Sequence, residues 1–138
     1  MARTGTIRKK ELNSQGLAEK IAKLANDKKA EDIVILDMRQ MVNFCDFFII
    51  ATGTSDRHIK AIAEGVDEGL NNKGNGKSRN LDKSGVLLAQ ENGAWVILDL
   101  GNVVVHVFEP RSREFYALEH LWQDAPRLEY KISRRKKV

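Results

Sequence analysis

One short segment holds the residue types that handle phosphate. Gly53-Thr54-Ser55, followed by Asp56 and Arg57, stands between an apolar run and a helical pattern. Free amides at a helix start bind anions, and here two hydroxyls stand beside them. A Gly-Ser pair after a strand serves nucleotidyl transfer when closely spaced carboxylates on a neighbouring strand hold magnesium. The best downstream carboxylate is Asp99, but its same-face neighbour two residues on is Gly101. Asp37 is followed in the same way by Arg39. Neither position makes a pair, so no enzyme is expected. A helix cap with a tight turn accounts for the same residues. The alternative, a nucleotidyltransferase-like enzyme, rests on the Gly53-Ser55 loop and Asp99.

His58, His106, His120 and Cys45 are the remaining candidates for chemistry. None has a short paired spacing of the kind that holds a metal. Cys45 has no sequence-adjacent base to activate it. No P-loop and no G-x-G-x-x-G is present, and no cofactor is expected.

A hairpin carries the clearest surface signal. In WVILDLGNVVVHVFEP, Gly101-Asn102 separates two β-rich runs, and both residues tolerate the positive φ of a two-residue turn. That turn sets Leu100 opposite Val103, Leu98 opposite Val105 and Val96 opposite Val107, an aliphatic face for a core. The other face carries Trp95, Ile97, Asp99, Val104, His106 and Phe108. Such a mixture suits either a face that meets a partner or a face covered by a helix.

Around the hairpin the periodicities predict a helix from Ser14, capped by Asn13 or Ser14, with Leu17, Ile21 and Leu24 on one stripe. Strands follow over 32–38 and 46–51. A second helix, capped by Thr54 or Ser55, carries Ile59, Ile62, Val66 and Leu70. Residues 71–85 read as a polar, Gly-rich loop and 86–90 as a short strand. A last helix from Ser112 places Phe115, Leu118 and Trp122 on one face, and Ala125-Pro126 ends it. The expected fold is a single-domain α/β sandwich with a mixed sheet of about five strands flanked by helices.

The 138 residues suit one domain, and 42% hydrophobic content supports a core. Apolar runs fall well short of the ~20 residues of a membrane span. The first residues lack a hydrophobic leader, and a lone cysteine suits a reducing cytosol. The formal charge of +4 is unevenly spread. Residues 1–13 carry four basic groups and one acid, and 131–138 carry five basic groups and none. The domain between, 14–130, keeps 14 basic and 18 acidic residues, and its acidic excess lies in 86–130. An acidic body fits a basic protein partner better than a phosphate backbone. The two basic ends are expected to be mobile tails, able to touch rRNA. An RNA-binding module working through those tails is a third reading.

DIVILDMR, CDFFIIATGTSDRHIKAIA and WVILDLGNVVVHVFEPRSREFYALEHLWQDAP together resemble the ribosomal silencing factor family, RsfS or Iojap-like, from about Leu17 to Arg127. The resemblance implies a nucleotidyltransferase-like domain without the catalytic residues. It implies binding to the large ribosomal subunit through ribosomal protein uL14. The bound factor would block subunit joining and repress translation under nutrient limitation. Some members form homodimers. Trp95, Asp99, Val104, His106, Arg113, Tyr116, Glu119 and Trp122 stand at matching positions. With Ile97 from the same face, the expected partner-binding set is Trp95, Ile97, Asp99, Val104, His106, Arg113 and Tyr116. Segment 71–89 departs from the family pattern.

Overall fold

In the computed structural model, residues 2–71, 86–89 and 95–128 are described. Helix α1 spans Ala2–Asp27, strand β1 Glu31–Asp37, β2 Phe47–Thr52 and helix α2 Asp56–Asn71. Then come β3 (Val86–Ala89), β4 (Trp95–Asp99), β5 (Val103–Phe108), α3 (Pro110–Tyr116), α4 (Leu118–Leu121) and β6 (Arg127–Leu128). The strands form one mixed sheet in the order β3-β4-β5-β2-β1-β6. Among the described strands, the β2–β5 pair alone is parallel. The expected α/β architecture is present, with a two-residue sixth strand on the edge.

The two central strands explain why the sheet needs cover on both sides. FFIIAT and VVVHVF are buried at every position. One face, with Phe47, Ile49, Ala51, Val103, Val105 and Val107, packs under α1 and α2 through Ala18, Ile21, Ile59, Ile62 and Val66. Each buried Val, Ile or Phe among them contributes on the order of 2 kcal/mol by leaving water, and each Ala less than half of that. The opposite face, with Leu36, Phe48, Ile50, Val104 and Phe108, has thinner cover. Leu118, Trp122 and the 38–45 segment lie over it, and neither α3 nor α4 buries a residue completely.

Two helix expectations change. The first helix begins at Ala2, not at Ser14. Extending an anchored helix requires no new nucleus, and the Arg, Lys, Glu and Leu of 8–12 are good helix formers. Ser14 does not cap: its hydroxyl donates to Asp46 Oδ2, tying α1 to the start of β2. The last helix is broken at Ala117, whose φ of 46° and ψ of 47° are left-handed. The break reverses the expected placement of Phe115, which is 78% exposed. Its neighbour Tyr116 turns to the sheet instead. Most of loop 71–85 and all of 131–138 lie outside the described residues.

Candidate functional site

The hairpin register is the expected one. Val96 pairs with Val107 and Leu98 with Val105, and these side chains belong to the helix-covered core. Trp95 pairs with Phe108, Ile97 with His106 and Asp99 with Val104 on the thinly covered face. At the turn, Leu100 N–H donates to Val103 O across 2.9 Å. Only Gly101 takes a positive φ, 90°, so Asn102 does not use its left-handed tolerance. Glycine at the first turn position alone is the two-residue hairpin pattern that matches strand twist. Asp99 Oδ1 accepts the Gly101 N–H at 2.9 Å and fixes the entry to the turn.

Trp95 is the hub of this face. Its ring lies 4.7 Å from Phe108, 4.6 Å from Tyr116 and 6.0 Å from His106, centroid to centroid. Its Nε1–H donates to His106 Nδ1 at 3.4 Å. His106 itself is buried, edge-on to Phe48 at 4.7 Å, and burial pushes its pKa down to about 4. Val104 is buried beside it. The side chains that meet water here are therefore Trp95 and Ile97 in part, with Asp99 and Tyr116 exposed. The helix-covered reading holds for part of the face. The α3–α4 elbow covers the Phe48 and Phe108 side and reaches Trp95 through Tyr116, while Trp95 and Ile97 keep part of their surface in water and Asp99 is exposed.

Arg113 reaches this assembly from the far side. It donates to Thr52 Oγ1 at 2.7 Å and clasps Glu119 through Nε at 2.9 Å and Nη2 at 3.1 Å. That hydrogen-bonded pair holds the Glu119 carboxyl below its ordinary range. Thr52 pairs with Phe108, and Phe108 with Trp95, so the clasp lies at the Trp95 end of the strands. Sequence reasoning missed Phe48, although alternation along DFFIIA puts it on the face of Ile50. Thr52 as the partner of Arg113 left no local signal, because 61 residues separate them.

The phosphate-type segment is occupied by its own helix. Ser55 Oγ accepts the His58 N–H at 3.1 Å as the cap of α2. Thr54 N–H donates to His58 Nδ1 at 2.9 Å, and His58 Nε2 lies 2.8 Å from Lys28 O. Gly53 N–H is spent on Phe108 O at 2.9 Å. These amides are therefore not free for an anion. The register also separates the parts of the enzyme alternative. Gly53 follows Thr52, which pairs with Phe108, whereas Asp99 pairs with Val104, itself beside Phe48. That is four residues of strand, roughly 13 Å. Cys45 is buried, and burial with Asp46 and Asp99 nearby pushes its thiol up to about 11. Among the described residues no three His, Cys, Asp or Glu side chains gather as a metal would require.

The family model described as ribosomal silencing factor during starvation matches residues 11–138. The chain belongs to this family. The RsfS of Bacillus subtilis is 36% identical over 119 residues, covering 83% of this chain and 92% of that one. The RsfS of Halalkalibacterium halodurans is 37% identical over 118 residues, with 86% and 95% covered. A crystal structure from Chromobacterium violaceum superposes with a TM-score of 0.69 at 32% identity, covering 89% of this chain and 96% of that one. The hairpin and the elbow built here therefore lie inside the family's shared domain.

Proposed function

We propose that this chain is a ribosomal silencing factor that docks on the large ribosomal subunit by the open side of its β4–β5 hairpin. Ribosomal protein uL14 is the partner on that subunit. The bound factor stands in the way of the small subunit, so translation falls when nutrients are short. It acts by occupying space in the cytoplasm and needs no chemistry.

The observation that carries the reading is the partly solvent-facing Trp95, held among Phe108 and Tyr116, with Ile97 next to it on the same face and Asp99 at the turn end of the strand. A large aromatic at the water boundary, braced by its neighbours, is the residue type that dominates interface energy. The acidic excess of 86–130 suits a basic partner. Val104, His106 and Arg113 support the surface from beneath. The basic ends, 1–13 and 131–138, add a screened attraction to rRNA. Relatives agree in kind: one from Mus musculus, 28% identical over 102 residues, is named for mitochondrial assembly of the ribosomal large subunit.

Sedimentation with separated ribosomal subunits tests this directly. The tagged chain is expected to travel with the large subunit and to reduce formation of joined ribosomes. Co-sedimentation with the small subunit alone, or joining at the normal rate with the large subunit saturated, would sink the proposal.

A further inference from the structure

An indole N–H can only donate, so the His106 Nδ1 that lies 3.4 Å from Trp95 Nε1 must accept. A neutral imidazole that accepts at Nδ1 carries its proton on Nε2. That Nε2 is buried and has no hydrogen-bond partner. A protonated ring would set one N–H against another at Nδ1, so only the neutral ring fits the contact. Phe48 and Phe108 hold the imidazole on two sides, with centroids 4.7 and 6.3 Å away. At 6% exposure His106 offers almost nothing to an incoming surface. Its hydrogen-bonded link outward is the indole.

We propose that His106 is a positioning residue of the docking face: through Nδ1 it turns the polar edge of the Trp95 indole inward, so the partner meets indole carbon instead of the indole N–H. This deepens the docking reading above and rests on it. The contact selects a particular chemistry. A hydrogen-bond acceptor aimed at Nε1 finds that N–H already engaged. An aliphatic stem or a cationic head, as lysine or arginine supplies, gains from lying against the ring. A basic side chain also agrees with the exposed Asp99 on the same strand face.

Three variants of the full chain test the proposal. Binding is read by pelleting with purified bacterial large subunits. The Trp95 indole N–H is followed by NMR, with Trp122→Phe to assign its resonance. His106→Phe keeps the aromatic bulk while removing Nδ1 and the unpartnered Nε2. It is expected to hold or raise the Tm at neutral pH, to let the indole N–H exchange faster with water, and to bind roughly fivefold more weakly. His106→Asn sets an acceptor oxygen near the place of Nδ1 but leaves a hole. It is expected to melt earlier and still bind within about twofold of wild type. A merely structural histidine would give the opposite order, with affinity following Tm. Wild-type indole exchange in His106→Phe overturns the inference. Trp95→Ala separates it from the reading beneath it. Wild-type binding by Trp95→Ala overturns the docking face and this inference with it. Lost binding by Trp95→Ala with full binding by His106→Phe overturns the inference alone.

Discussion

Arg113 Nη1 donates to Thr52 Oγ1 across 2.7 Å, joining α3 to the last residue of a central strand. The same guanidinium takes both oxygens of Glu119, so one side chain clasps the two arms of the elbow around Ala117. Planar, two-pronged contact of this kind is what arginine does and lysine does not. Arg113→Met leaves Glu119 without its main partner and Thr52 without its donor. The expected loss of stability is on the order of 2 kcal/mol, with no rescue by Arg113→Lys. Glu119 should titrate nearer its ordinary range in Arg113→Met. Chemical melts and carboxyl NMR titration check both statements.

Trp95→Ala is expected to damage two properties at once, because the ring is braced on one side and open on another. Large-subunit affinity should fall about thirtyfold, equivalent to roughly 2 kcal/mol. Stability should fall by about 2 kcal/mol, less than the core truncation of a fully buried aromatic. Pelleting and thermal melts on the same preparation give the two numbers. A loss confined to stability would move Trp95 into the core and off the interface.

Asp99 separates charge from geometry. Asp99→Asn keeps an oxygen for the Gly101 N–H and removes only the charge. Asp99→Lys reverses the charge at an exposed site. Asp99→Asn should leave stability unchanged, and Asp99→Lys, which lacks an acceptor for that N–H, should cost about 1 kcal/mol and stay folded. Binding should weaken in the order Asn then Lys, and the difference should shrink as salt rises. Equal binding by all three proteins at low salt would show that the partner presents no cation there.

The buried imidazole predicts how the fold responds to acid. Burial lowers the His106 pKa from 6.5 to about 4. The unfolded chain takes up a proton in that window and the folded chain does not. Stability present above the ordinary histidine range is therefore lost as pH falls toward the folded value. The loss from this residue is at most on the order of 3 kcal/mol. Asp37 and Glu119, held low by their bonds to Arg39 and Arg113, lose stability in the same direction on further acidification. His106→Phe should flatten the upper part of the curve of Tm against pH and leave the lower part. An unchanged slope between pH 6.5 and 4 would show that another group controls it.

Ser55 distinguishes a cap from a phosphate contact. Ser55→Ala removes the acceptor of the His58 N–H and should cost about 1 kcal/mol of stability. Ribosome binding should be unchanged. Magnesium-dependent incorporation of labelled nucleotide by the native chain, lost in Ser55→Ala, would restore the enzyme reading.

Local sequence determined the elements whose chemistry is local. Gly101-Asn102 between β-rich runs fixed the hairpin register, and alternation then sorted Val96, Leu98, Val105 and Val107 from Trp95, Ile97, Asp99 and His106. The 3.6-residue stripe of α2 with Ser55 before it fixed that helix and its start. The side chains that carry the family resemblance were legible for the same reason. Tertiary structure decided whatever depends on partners distant in the chain. Ser14 read as a cap until Asp46, 32 residues away, claimed its hydroxyl. Pattern puts Phe115 on one face with Leu118 and Trp122, for the sheet or an interface to bury; the left-handed Ala117 breaks the helix, and Tyr116 takes the place against the sheet. Whether His106 lies at the surface or beneath it was likewise undetermined by pattern. Period-two alternation places a side chain on a face but does not say how deeply the opposite layer covers it. That depth follows from the packing of Phe48, Trp122 and the elbow over the sheet, which only the assembled fold specifies.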